Sequence, residues 1–442
     1  MAYSSKQGRR PAEYASKSAH VHVINSPSVQ KFLKNCRLPK RANEVQLDDR
    51  LVSIQEKLEV NPIAHVVAID GGYREIPVQN EFPSATIAFF QFGVLTFKVR
   101  DLDEVGRQVF IDPEDMQKLK QMQRYELTLP IRNVALSDEL TLTHSIRRAL
   151  YDFFLTEVDQ GMATLAWFIF QEYSHGIDRW SLASCPHCAA RNVILMRNKM
   201  SATYTFKCSE CQNELMLTDV FRLHEAIDDE LGAGGIMGYV MTTLEQMLLV
   251  SVIRTVLNLK PSVLNELLFI KDGPLAFFGQ TANMYKPMRA LVGYLFSHHN
   301  LYLAGLEKSG SFVEHANEIA AKLNGGQLLI LDNEYIYKYI IPGQADPARP
   351  YGSTTYYGNK VIFKSWDERT YVITLPTATM SSSPTQPDLP NLTVILANIA
   401  KLRCDMYDDA LFPVALVNKL VSLADHPSSR ILSRFAHDTM PV

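Results

Sequence analysis

Four cysteines stand in two tight pairs, Cys185-Pro-His-Cys188 and Cys208-Ser-Glu-Cys211, with nineteen residues between the pairs. Two such knuckles can bring four thiolates tetrahedrally around one zinc ion. Four thiolates close the coordination shell, so the zinc implied is structural and folds a module too small for a core of its own. Arg191, Arg197, Lys199, Tyr204, Phe206 and Lys207 lie between the pairs, as in a small β-hairpin ribbon, and leave open a second role in touching DNA or a partner. Cys36 and Cys404 are isolated, a pattern that suits a reducing compartment better than a disulfide framework.

Carboxylates offer a second chemistry. The apolar run Ile63 to Asp70 (IAHVVAID) predicts a buried strand that delivers Asp70 to its end and is stopped by Gly71 and Gly72. Leu264 to Asp272 repeats the theme, with Gly273 following. An acid at the end of a buried strand is held rigidly, and a neighbouring glycine lets a phosphate or a metal-bound water approach. Mg²⁺ and Mn²⁺ take oxygen ligands, commonly a few carboxylates with water and substrate phosphate. By spacing alone an Asp-Gly after a strand is far more often a plain turn. Glu245, in MTTLEQMLLV, lies on an expected helix beside Leu244, Leu248 and Leu249, where by itself a solvated helix-face glutamate is the simpler reading.

The elements that must position these groups follow from patterning. The chain has 442 residues, 47% hydrophobic and 21% charged, which predicts one large core with insertions or two domains. Ala85 to Val99 reads as a second strand. From about 113 to 176 the pattern is read as helical, interrupted at Leu127-Thr-Leu-Pro130, and a second helical stretch runs from Thr218 to about Leu259 through the breakers Gly232 to Gly235. Leu301 to Leu306, Gln327 to Leu331, Val361 to Phe363 and Tyr371 to Leu375 are further strand candidates, with helices at Val394 to Lys401 and Val414 to Leu423. The apolar runs Met162 to Phe170 and Met247 to Leu257 are too short to span a membrane and predict core segments. No secretory signal opens the chain, and a cytoplasmic location is expected. Net charge is -3, so contact with nucleic acid would rest on local patches. One such patch is a basic arm carrying Lys6, Arg9, Arg10, Lys17, Lys31, Lys34, Arg37, Lys40 and Arg41, a DNA or partner contact or else a solvated tail.

The order of motifs resembles the NurA nucleases: IDGG at a strand end, a helix bearing Glu, KDGPL at a second strand end, then AGLEKSGSF and YYGNKVIFKSWDERTYVITLP. It covers roughly residues 60 to 100 and 240 to 425. The resemblance implies an α/β, RNase H-like mixed sheet flanked by helices, a homodimer, and Mn²⁺- or Mg²⁺-dependent degradation of DNA beside a HerA-type hexameric ATPase, in DNA repair or in defence against phage. Asp70 and Asp272 match the metal-binding aspartates, Glu245 the helical acid, and Lys308 the lysine of the following strand, where a cation holds a phosphate or developing charge. Lys364 and Arg369 are candidate guides for the DNA backbone. At the C-terminus the pattern departs: Phe412 stands where a Tyr is expected and Leu420 where a His is expected, and His426 is the nearest substitute.

On this reading residues 1–60 form the basic arm, 61–112 the first part of the core, 113–182 a helical insertion, 183–216 the zinc ribbon, and 217–442 the second part of the core with the C-terminal helices. Two rivals stay open: a catalytically degenerate zinc-ribbon subunit that binds DNA or assembles such a complex, and an RNase H-like nuclease acting on RNA or guide-paired strands.

Overall fold

A computed structural model describes residues 19–38, 40–41, 44–47, 50–79, 82, 84–100, 122–404, 410–423 and 428–439. The strands are β1 (Leu51–Ser53), β2 (His65–Gln79), β3 (Ala85–Lys98), β4 (Met122–Arg132), β5 (Arg179–Ser184), β6 (Arg191–Met196), β7 (Thr205–Lys207), β8 (Glu214–Met216), β9 (Leu267–Asp272), β10 (Tyr302–Glu307), β11 (Gln327–Ile330), β12 (Gly358–Lys364) and β13 (Thr370–Pro376). Nine of them make one sheet in the order β1-β11-β12-β13-β10-β9-β2-β3-β4. Within it β2, β3 and β4 are successive antiparallel neighbours, β9 returns parallel to β2, and β10 lies parallel to β9. This is the RNase H-like arrangement, here extended by antiparallel β13, β12, β11 and β1.

Helices cover both faces. The principal ones are α1 (Ala19–Ile24), α2 (Pro27–Asn35), α3 (Leu142–Asp152), α4 (Gly161–Ile169), α5 (Met237–Leu259), α6 (Tyr285–His298), α7 (Ser311–Ile319), α8 (Leu392–Lys401), α9 (Phe412–Val421) and α10 (Ser428–Thr439). Side chains alternate across a strand, so Val67, Ile69 and Phe269 pack with α3 to α6, while Val66, Ala68, Leu268 and Ile270 pack with α8 and α9. Asp70 and Asp272 continue the second set and Lys271 the first. By length and composition α5 could cross a membrane, but 67% of its most apolar window is buried inside the protein, as befits a central helix. Each large apolar side chain so buried contributes about 1.5–3 kcal/mol. Lys260 and Pro261 end this helix, since proline supplies no N–H and its ring clashes with the preceding turn.

Two expectations change. Residues 122–132, read as helical, form edge strand β4, in which Leu127, Leu129 and Ile131 are buried at period two while Glu126, Thr128 and Arg132 are exposed. Pro130 is tolerated there beside a register irregularity at the sheet margin. Nor do Gly71 and Gly72 stop β2, which runs through them to Gln79. Gly71 faces the Phe92 ring so closely that a Cβ would lie 2.7 Å from Cδ1. It is there for close approach.

Gly305 on β10 is similarly constrained, since a Cβ there would meet the Gly273 carbonyl oxygen at 2.7 Å and the Leu275 nitrogen at 2.9 Å. Both obstacles are backbone, so the loop after β9 must move to admit a methyl group. Gly305→Ala is expected to lower stability by about 2 kcal/mol in urea denaturation; an unchanged midpoint would show that the loop yields freely.

Candidate metal centres

The four cysteines meet as their spacing predicts. Cys185 and Cys188 sit in the turn between antiparallel β5 and β6, and Cys208 and Cys211 in the turn between β7 and β8. The two turns are built alike. Cys185 N–H donates to Ala190 and Cys208 N–H to Asn213, while Ala189 and Gln212, each just past the second cysteine, take φ of 56° and 59°. Sγ atoms of Cys185 and Cys211 are 3.8 Å apart and those of Cys188 and Cys208 3.9 Å. A tetrahedron with metal–sulfur bonds of about 2.3 Å has edges of about 3.8 Å. Among the described residues this is the one group of three or more His, Cys, Asp or Glu whose ligating atoms all lie within 4.8 Å of one another. Leu182, Val193, Leu195 and Leu215 join the ribbon to the α3–α6 core, and buried Arg147 on α3 pairs with Asp219 just beyond β8 at 2.8 Å.

The acids form a looser group. Asp70 is 3% exposed on β2; its Oδ1 accepts from Gly71 N–H at 2.8 Å, and its Oδ2 is buried with no hydrogen-bond partner among the described residues. Asp272, at the end of β9, pairs with Lys308 Nζ at 2.8 Å. Glu245 comes from α5 on the other face, and is 3% exposed rather than solvated. It reaches the sheet over Gly71, where a Cβ would lie 3.2 Å from its Oε1. Its Oε2 meets Lys271 Nζ at 2.7 Å, with both side chains only 4% exposed. Gln246 anchors the same turn of helix, accepting from Tyr357 Oη and donating to the Ala276 carbonyl.

Burial, then the negative charges of Asp272 and Glu245, push the Asp70 carboxyl up to about 7; the Asn418 side chain and Lys308 act the other way. Burial raises Glu245 too, opposed first by Lys271. An orphaned carboxylate oxygen among other acids suits a divalent cation, which supplies both a partner for the oxygen and relief of the repulsion.

The other named residues fall elsewhere. Lys364 is buried, bonded to the Ala320 carbonyl at 3.0 Å and paired with Glu368, and its strand β12 stands three places from β9. Arg369 donates to the Cys404 carbonyl. Neither is brought to the acids, because both are used in tying loops to the sheet. His426 lies outside the described residues, as do Lys6, Arg9, Arg10 and Lys17. Leu420 is half-buried on α9, and the same helix sends Asn418 toward Asp70. Patterning missed Lys271 and Asn418: a lysine beside an aspartate and an asparagine on a C-terminal helix both look like surface.

A carboxyl raised in the folded state keeps its proton where the unfolded chain has lost it. Between about pH 4 and 7 the folded form therefore binds more protons, and stability falls as pH rises. Asp70→Asn removes this term. Without added divalent ions the variant is expected to exceed the wild type in urea stability at pH 8, by at least about 1 kcal/mol, with the gain shrinking toward pH 4. Parallel pH profiles for the two proteins would contradict the burial argument.

Residues 64–260 match the family profile described as the NurA domain. The match takes in Asp70, the ribbon and Glu245, and ends seven residues before β9 and twelve before Asp272. No curated protein sequence matches the chain. Among solved structures the NurA nuclease from Sulfolobus solfataricus is similar at 7% identity and a TM-score of 0.32, with 93% of this chain and 92% of that one covered. A second NurA structure is similar at 10% identity and a TM-score of 0.26, with 97% and 98% covered. Likeness at this level carries no weight for individual residues. The stretch from β2 through the ribbon to α5 is thus similar in sequence to the NurA domain.

Proposed function

We propose that the chain is a Mn²⁺- or Mg²⁺-dependent deoxyribonuclease that cleaves phosphodiester bonds at the junction of β2 and β9. The observation that carries this reading is the buried, unpartnered Oδ2 of Asp70 beside Asp272 and Glu245 in a NurA domain. Asp70 and Asp272 are the principal metal-binding residues and Glu245 the third acid. A bound divalent ion supplies charge neutralisation and a water of lowered pKa. Asp70 and Asp272, fixed on adjacent parallel strands, orient the site. Lys308, with 30% of its side chain exposed, can leave Asp272 to meet a phosphate oxygen, where an ammonium stabilises developing negative charge. Asn418, exposed and two residues before the Leu420 that stands where the resemblance expects a histidine, is the polar group that α9 offers toward Asp70.

In the same reading the four-cysteine ribbon holds one structural zinc, the chain works as a homodimer with a HerA-type hexameric ATPase in the cytoplasm, and the context is DNA repair or phage defence. These partners come from the resemblance, and the site geometry supports the hydrolytic step.

Linear and single-stranded DNA incubated with Mn²⁺, with and without a co-expressed HerA-type ATPase, is expected to be cut by the wild type. Asp70→Ala and Asp272→Ala are expected to lower the rate at least 100-fold, an order set by loss of transition-state charge stabilisation. No cleavage by a folded, zinc-loaded protein would favour the degenerate-subunit reading, for which Leu420 in place of a histidine is the supporting feature. Elemental analysis is expected to find one zinc per chain. Cys208→Ser should lose it and expose the ribbon to proteolysis; a zinc-free, protease-resistant wild type would refute the structural-metal assignment.

A further inference from the structure

Lys271 is an odd residue to bury. Its side chain is 4% exposed, and an ammonium taken out of water is costly unless well-placed acceptors meet it. It has two acceptors from separate parts of the chain: Glu245 Oε2 on α5 at 2.7 Å, and the main-chain oxygen of Asp272 on β9. The strand alternation that turns Asp272 toward the face of Asp70 turns Lys271 toward α5. The chain then turns away at Gly273, whose φ of +81° is open to glycine, and its Cα leaves Lys271 Nζ 3.7 Å from where a Cβ would stand. The ammonium therefore couples the helical acid to the peptide of the strand acid, and it occupies one of the two Glu245 oxygens. The remaining one, Oε1, lies over Gly71 beside Asp70.

We infer that Lys271 is a positioning residue of the acid site: a built-in counter-cation that holds Glu245 in place relative to Asp70 and Asp272 before a divalent ion binds, and leaves Glu245 Oε1 as the oxygen facing that ion. The inference rests on the metal-nuclease reading. It carries a consequence that ordinary core packing does not. With Lys271 gone, the acids lose their counter-charge, and a divalent ion is the remaining cation able to restore it. The loss of stability is then larger without the ion than with it.

The test uses the full-length, zinc-loaded protein as wild type, Lys271→Met, Glu245→Gln and the double variant, each melted with and without Mn²⁺. Lys271→Met is expected to lower the metal-free Tm by roughly 5 °C, and Mn²⁺ to recover at least half of that loss, so that the Mn²⁺-induced rise exceeds that of the wild type. Without Mn²⁺ the double variant should melt above Lys271→Met, because the stranded carboxylate has been removed with its partner. For DNA cleavage Lys271→Met should lower kcat while leaving KM within about twofold, as expected when only the reacting groups are displaced. Equal losses with and without Mn²⁺, or a double variant no better than the single, would overturn the inference and make Lys271 a plain core contact. Should Lys271→Met fail to fold, the comparison of Glu245→Gln with the double variant decides: removing a stranded ammonium should raise Tm, and a fall would overturn the proposal. A wild type with neither a Mn²⁺-dependent Tm rise nor Mn²⁺-dependent cleavage would instead remove the nuclease reading on which the inference stands.

Discussion

A carboxylate taken out of water is costly unless a cation or hydrogen-bond donor meets it, and the strip where β2 and β9 run side by side holds Asp70, Glu245 and Asp272. The surroundings answer that cost in opposite-facing ways. Lys308 meets Asp272 on one face and Lys271 meets Glu245 on the other, while Asp70 receives one main-chain N–H and keeps one bare oxygen. A third pair, Lys360 with Glu307, is buried one strand beyond and steadies the end of β10 from which Lys308 extends. The sheet is thus held here by charge as well as by apolar packing, and Asp70 Oδ2 is the least satisfied of these carboxylate oxygens.

Rigidity of that kind needs a scaffold that does not give. The α3–α6 side supplies it as one continuous apolar cluster running from β2 through α5 into the ribbon. The ribbon's own hairpins are too short to bury much, so their leucines are shared with the larger core while the thiolates gather at the tip. A metal there would secure the turns, and the Arg147–Asp219 pair fastens the module to α3. The NurA match running unbroken through this region agrees with the packing, in which the ribbon is part of the domain's wall and shares its core.

Several features were legible because they are local. Each cysteine knuckle is one tight turn, so spacing alone predicts that the four thiolates meet. Asp70 and Asp272 announce themselves through apolar runs ending in acid and glycine. Glu245 needed the motif resemblance, since on its helix it sits one residue from Leu244 and reads as a solvated face. Its burial arises because α5 is covered on nearly all sides over residues 243–250. The strand β4 was misread for the opposite reason: a short period-two pattern broken by Pro130 resembles an interrupted helix until a neighbouring strand pairs with it.

By itself, then, the sequence determined the cysteine cluster and the apolar strands that carry Asp70 and Asp272, because turn chemistry and apolar runs act over a few residues, while the mixed sheet flanked by helices was implied by the motif resemblance. Tertiary structure alone decided that β2 continues through Gly71, that Glu245 comes over this glycine, that Lys271 pairs with Glu245, and that Lys364 and Arg369 are bonded elsewhere. Each of these depends on which face of the sheet a side chain takes and what distant segment packs there. Neighbours in sequence such as Lys271 and Asp272 are sent to opposite faces by the pleat, while residues 26 and 175 positions apart, Lys271 with Glu245 and Asp70 with Glu245, are brought together by burial.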